Sequence, residues 1–151
     1  VTQNRAVHAA VFSAGSWGTA VAKILADAGT DVIVHARRSE IAGAINRVHR
    51  NPGYFPDVEL PISVTATTDP AAALVGVDFL VLSIPAQSLR ASLAAWAPHI
   101  GPNTVIVSLM KGIEVGSGLR ASQVITEVTG VPVERVAVLS GPNLAREIMA
   151  G

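Results

Sequence analysis

Ser13-Ala14-Gly15-Ser16-Trp17-Gly18 separates two stretches of different character. Before it lies the apolar run Ala9-Ala10-Val11-Phe12, which reads as a buried strand. After it, Thr19-Ala20-Val21-Ala22-Lys23-Ile24-Leu25 has helical spacing. Strand, glycine loop and helix in that order form the turn on which dinucleotides bind. A helix N-terminus carries unpaired N–H groups and about half a positive charge, so a pyrophosphate can settle there if no side chain blocks it. Gly15 is expected to let backbone approach that anion, and Gly18 to let the helix pack closely on the strand. The first glycine of G-x-G-x-x-G is replaced by Ser13. Serine fits this turn without strain only at negative φ; at positive φ its Cβ costs about 1 kcal/mol. The plainer reading of these residues is a tight turn with no ligand.

Working outward, apolar runs alternate with amphipathic ones. Strands are expected at Val7–Phe12, Asp31–Ala36, Ile62–Thr67, Asp78–Ile84, Thr104–Leu109 and Val136–Leu139. Helical patterns fill Ser16–Ala28, Glu40–Val48, Pro70–Leu74, Gln87–Ala97, Leu119–Val128 and Leu144–Ala150. Arg50–Asp57, with two prolines and a glycine, reads as a loop. The best strands are continuously apolar, as in a parallel sheet covered on both faces. The expected fold is therefore α/β, a Rossmann-type doubly wound and mainly parallel sheet with helices on both faces. His8 is out of character inside a strand expected to be buried.

Composition narrows the function. The 151 residues suit one domain of ordinary size, and half are hydrophobic. Eleven basic and eleven acidic side chains cancel, with no charged run, so the footprint of a nucleic-acid binder is missing. The chain contains no cysteine, which removes disulfides and thiolate metal sites. The four histidines show no metal spacing. No apolar run reaches the ~20 residues of a membrane span, and the N-terminus lacks the apolar core of a signal peptide. A cytoplasmic location is expected, without membrane insertion. The chain does not start with Met, which suggests processing or a start inside a gene.

Ligands of open parallel sheets collect beyond the carboxyl ends of the strands, so the residues there carry the chemistry. After the second strand stands His35-Ala36-Arg37-Arg38, where an NAD-specific site usually has an acid. Two guanidiniums suit a ribose 2′-phosphate, or are simply solvated at a strand end. Pro85 ends the fourth strand. Lys111, one of two lysines, follows the fifth and precedes Gly112. It suits an anionic or carbonyl ligand, or is an ordinary surface lysine. Ser140-Gly141-Pro142-Asn143 follows the sixth, with Asn143 a good N-cap for the helix beyond.

Taken together, Ser13-Ala14-Gly15-Ser16-Trp17-Gly18-Thr19-Ala20, His35-Ala36-Arg37-Arg38, Ser108-Leu109-Met110-Lys111-Gly112-Ile113-Glu114 and Ser140-Gly141-Pro142-Asn143-Leu144-Ala145 resemble the bacterial NAD(P)-dependent sn-glycerol-3-phosphate dehydrogenases, across nearly the whole chain. Arg50-Asn51-Pro52-Gly53-Tyr54-Phe55-Pro56 resembles that family's loop before the third strand. The resemblance implies cofactor contacts from Gly15, Ser16, Trp17, Gly18, Arg37, Arg38, Lys111 and Ala145. It implies substrate contacts from Lys111, Gly141 and Asn143, with Lys111 close to the nicotinamide. The implied cofactor is NADP(H), with use of NAD(H) left open. The implied partners are dihydroxyacetone phosphate and sn-glycerol 3-phosphate, for glycerophospholipid synthesis. No metal site is implied.

Members of the family are about twice this long, and their helical second domain carries the lysine general acid/base and the phosphate-binding residues. Residues 1–151 are therefore expected to be the NAD(P)-binding domain, binding cofactor without turnover. The helix Asn143–Ala150 is expected to expose apolar surface and to favour a homo-oligomer. Two rivals stand beside this reading. One is a ketopantoate or hydroxyacid reductase on a similar scaffold, and the other a nucleotide-binding module that catalyses nothing. The favoured reading requires Gly15 and Lys111 to open onto one crevice.

Overall fold

A computed structural model describes residues 5–141 and 144–150. Six strands form one parallel sheet: β1 (His8–Phe12), β2 (Asp31–His35), β3 (Val64–Thr67), β4 (Phe79–Leu82), β5 (Val105–Ser108) and β6 (Val136–Val138). Their spatial order is β3-β2-β1-β4-β5-β6. The order reverses at β1, which pairs with β2 on one side and β4 on the other. This is the doubly wound arrangement, and the crevice at its switch point is where such sheets take ligands.

The helices are α1 (Ser16–Asp27), α2 (Ser39–Val48), α3 (Pro70–Ala73), α4 (Leu89–Trp96), α5 (Ala121–Thr129) and α6 (Ala145–Ala150). Alternation along the strands divides the core between the two faces. Val11, Val32, Val34 and Val81 pack with Ala20, Val21, Ile41 and Ile45 of α1 and α2 and with Met149 of α6. Ala10, Phe12, Leu80, Leu82 and Ile106 pack on the opposite face with Ala73, Leu89, Leu93, Trp96, Val124 and Ile125 of α3, α4 and α5. Each buried Leu, Ile or Phe contributes about 1.5–3 kcal/mol relative to exposure.

Three local expectations change. β6 is short and largely exposed at Ala137 and Val138, because as an edge strand it has β5 as its one neighbour. The segment expected to expose apolar surface does so only at its start: Leu144 is exposed, while Met149 of α6 is buried and Ile148 packs toward the core. Further exposed apolar surface lies at Val133, Val138 and Leu139. His8 opens β1 at the sheet's amino edge, half-exposed, with Nδ1 3.7 Å from the Asp31 carboxylate. It therefore sits outside the core that made it look out of place.

Candidate functional site at the sheet switch point

The carboxyl ends of β1, β2 and β4 border a cleft of about 420 Å³. Ser13, Ala14 and Gly15 form one wall, His35 to Arg38 a second, and Ile84, Pro85, Ser88, Ser92 and Trp96 a third. Ile41 and Tyr54 close the rim. Its volume is in the range of small-molecule sites.

α1 aims its N-terminus at this cleft through Gly15, its N-cap residue. No side chain caps the helix, and its first turn holds no acid. Orphan amides and the dipole are thus left for an external anion. Gly18 packs so tightly that a Cβ there would lie 2.1 Å from the Ser13 carbonyl oxygen. Only glycine permits that approach of helix to turn.

Ser13 has φ +146°, so the unstrained negative-φ conformation is not adopted. Non-glycine residues rarely enter this region and are strained in it. The compensation is local: the Gly15 N–H donates to Ser13 Oγ at 3.0 Å. A hydroxyl thus receives one of the amides that would face a phosphate.

A second support comes from the loop after α2. Asn51 is fully buried. Its Nδ2 donates to the Ala14 carbonyl at 2.9 Å and to Thr19 Oγ1 at 2.8 Å. Its Oδ1 accepts from the Gly53 N–H at 3.1 Å. One amide therefore ties the glycine loop, α1 and the Pro-Gly loop together.

Two of the lining residues, His35 and Trp96, are ring side chains that pack on the buried Phe12. Phe12 and His35 have ring centroids 4.7 Å apart, and Phe12 meets Trp96 edge-on at 4.6 Å. Burial pushes the His35 imidazole below its usual pKa, against the raising effects of the Thr68 backbone and Asp69. It favours the neutral ring. Arg37 and Arg38 are exposed at the rim, and Arg38 Nε lies 3.7 Å from the Glu40 carboxylate.

Gly15, Arg37 and Arg38 therefore share one cleft. Ser16, Trp17 and Gly18 form the first turn of α1 behind it, and Trp17 and Ala145 pack against the same core. Lys111 and Gly141 are brought together elsewhere: Lys111 Nζ donates to the Gly141 carbonyl at 2.7 Å. Lys111 is not among the residues that line the cleft with Gly15, although both follow strands at the same carboxyl edge of the sheet. The reason is lateral spacing. Lys111 follows β5, two strands from β1, roughly 10 Å along the sheet edge. Asn143 lies outside the described residues.

The sequence reading missed Trp96, Ser88 and Ser92. Their spacing of four places them on one side of the α4 segment, a signal that periodicity could have supplied. It also missed Asn51, whose partners are 32 and 37 residues away. Among the described residues no group of three His, Asp or Glu side chains is placed to hold a metal ion, and no helix is long and apolar enough to cross a membrane.

Known proteins match this arrangement. The family described as NAD-dependent glycerol-3-phosphate dehydrogenase N-terminus matches residues 8–151. The NAD(P)+ glycerol-3-phosphate dehydrogenase of Streptomyces griseus is 60% identical over 142 residues, covering 94% of this chain and 42% of that protein. The chain thus spans less than half the length of this curated relative. Among solved structures, glycerol-3-phosphate dehydrogenase from Coxiella burnetii superposes with a TM-score of 0.87 at 32% identity, over 96% of this chain and 44% of the other. The enzyme from Saccharomyces cerevisiae gives 0.86 at 28% identity, over 97% and 45%. With a glycine-loop cleft at the switch point and a family match along nearly its whole length, this chain belongs to the NAD-dependent glycerol-3-phosphate dehydrogenase N-terminal family.

Proposed function

We infer that the chain binds NADP(H), and NAD(H) more weakly, as the cofactor-binding part of a dehydrogenase that interconverts dihydroxyacetone phosphate and sn-glycerol 3-phosphate. The observation that carries this reading is the uncapped N-terminus of α1 opening into the cleft that Arg37 and Arg38 rim. The residues fit a dinucleotide: Gly15 keeps the approach clear, Gly18 lets α1 pack close on the turn, and the guanidiniums suit a 2′-phosphate. Bound NAD(P)H supplies the hydride.

The chain's own groups bind and orient. The α1 amides would hold the diphosphate while Arg37 and Arg38 would hold the adenosine end. Ser16 and Trp17 stand near the phosphates, and Ala145 supports the cofactor from α6. A dinucleotide held at this cleft would leave Lys111, which follows β5 beyond it, to serve the far end of the cofactor or the substrate. There its ammonium would stabilise negative charge on a carbonyl or phosphate oxygen. Gly141 and Asn143 would border the substrate. Proton transfer and recognition of the substrate phosphate belong to groups of the longer relatives outside the residues matched here. Cytoplasmic location, a role in glycerophospholipid synthesis and self-association through exposed apolar surface are parts of the same proposal.

Calorimetric titration tests it. NADPH should bind more tightly than NADH, and Arg37→Ala with Arg38→Ala should remove the preference. The chain by itself should show no turnover with dihydroxyacetone phosphate. Binding of neither nucleotide would favour a non-catalytic module, and ordinary turnover would refute the assignment of roles.

A further inference from the structure

Lys111 sits in a loop rich in glycine. Gly112, Gly116 and Gly118 all have positive φ, so the loop has little stiffness of its own. It is nevertheless gripped at two points by the segment that leaves β4. Gln87 takes the loop backbone on both sides of Glu114. Its Nε2 donates to the Ile113 carbonyl at 2.9 Å, and its Oε1 accepts from the Val115 N–H at 2.9 Å. One side-chain amide therefore pairs with the loop as a neighbouring strand would.

Arg90 takes the side chain between those two backbone groups. Its Nε donates to both Glu114 oxygens at 3.0 and 3.2 Å, and its Nη2 to Oε2 at 2.9 Å. Its Nη1 reaches Glu127 of α5 at 2.8 Å. Ser117 Oγ adds a 2.5 Å bond to the same Glu114 oxygen. Glu114 is the least exposed member, its side chain only 12% accessible. These bonds hold its carboxyl below the usual carboxylate range, the Arg90 bonds having the largest effect. A fork of this kind fixes direction as well as distance, which a single lysine contact would not.

We propose that Gln87 and Arg90 are positioning residues that set the place of Lys111, through the backbone around Glu114 and through its carboxylate. The proposal rests on the reading that Lys111 serves the reacting end of the site. Gln87 and Arg90 flank Ser88, which lines the nucleotide cleft. The cleft wall and the lysine loop are thereby one mechanical unit, although Lys111 lies outside the cleft. Neither Gln87 nor Arg90 needs to touch substrate or cofactor for this role.

The chain has only two lysines, Lys23 and Lys111, so each can be read separately. Reductive 13C-methylation gives one dimethyl-lysine signal for each, and Lys23 serves as the internal control. In Arg90→Ala and Gln87→Ala the Lys111 signal should shift or broaden while the Lys23 signal stays in place. Arg90→Lys, which keeps the charge but loses the fork, should move Lys111 partway. Gln87→Ala removes only an exposed amide and keeps the test open where Arg90→Ala does not fold. An unmoved Lys111 signal in a folded Gln87→Ala chain would overturn the proposal, as would equal shifts of both lysines. Titrating the unaltered chain with NADPH probes the underlying reading separately. A Lys111 shift on saturation supports its place near the cofactor. Saturable binding without a Lys111 shift removes that place, while the variants still report whether the grip controls the loop.

Discussion

The glycine turn after β1 and the lysine loop after β5 sit on the same edge of one sheet, yet they are held by opposite means. The turn is fixed by backbone and buried groups. Gly18 presses on the Ser13 carbonyl, Asn51 is sealed from solvent, and Ser13 is held at φ +146°. The lysine loop is fixed by partly exposed charged and amide side chains from the neighbouring segment. A site for a fixed diphosphate needs pre-set amides, which packing provides. A loop that presents one ammonium needs only its direction fixed, and peripheral hydrogen bonds do that while leaving the lysine in water.

Substitutions can break this contrast at graded strength. Gly18→Ala should have the largest effect, because its methyl meets backbone and not a yielding side chain. We expect a loss of about 3 kcal/mol or failure to fold, read by thermal or urea denaturation. Asn51→Ala comes next. It leaves the buried Thr19 hydroxyl and the Ala14 carbonyl without their partner, at about 2 kcal/mol, and should lower the melting temperature and weaken NADPH binding together. Arg37→Ala with Arg38→Ala should leave stability within about 0.5 kcal/mol, since both are exposed. The same change should weaken NADPH, and not NADH, by about tenfold or more in calorimetry.

Ser13→Gly sharpens the comparison from the other direction. It removes the backbone strain and frees the Gly15 amide, so it should stabilise the chain by about 1 kcal/mol at most and tighten dinucleotide binding. The smallest effect concerns His35. Its folded pKa lies below the unfolded value near 6.5, so the unfolded chain binds more protons between the two. Stability from the neutral ring is fully present above that unfolded value and declines as pH falls through the window below it. His35→Phe should flatten this part of a stability-against-pH curve.

The same contrast explains what could be read in advance. The six strands followed from short apolar runs, and the helix after β1 from Gly15, Gly18 and an apolar stripe, all of them local signals. Asn51 was invisible inside a stretch whose two prolines and glycine spoke only of a loop. Its partners lie 32 and 37 residues upstream. Gln87 and Arg90 were legible only as part of a helical pattern, because their partners Ile113 and Glu114 come 26 and 24 residues later. Periodicity reports which side of an element is buried. It does not report which distant carbonyl or carboxylate a polar side chain will meet. The positive φ of Ser13 was signalled only by the glycine that the motif carries at this position, and not by the serine itself.

Mapping backbone amide shifts in the NMR spectrum during NADPH titration tests the central claim most directly. The switch-point assignment predicts saturable shifts concentrated at Gly15, Ser16, Arg37 and Arg38. Shifts concentrated instead at the sheet's other edge, around His8, Asp31 and Ser63, would contradict it, as would none at all with NADPH in large excess.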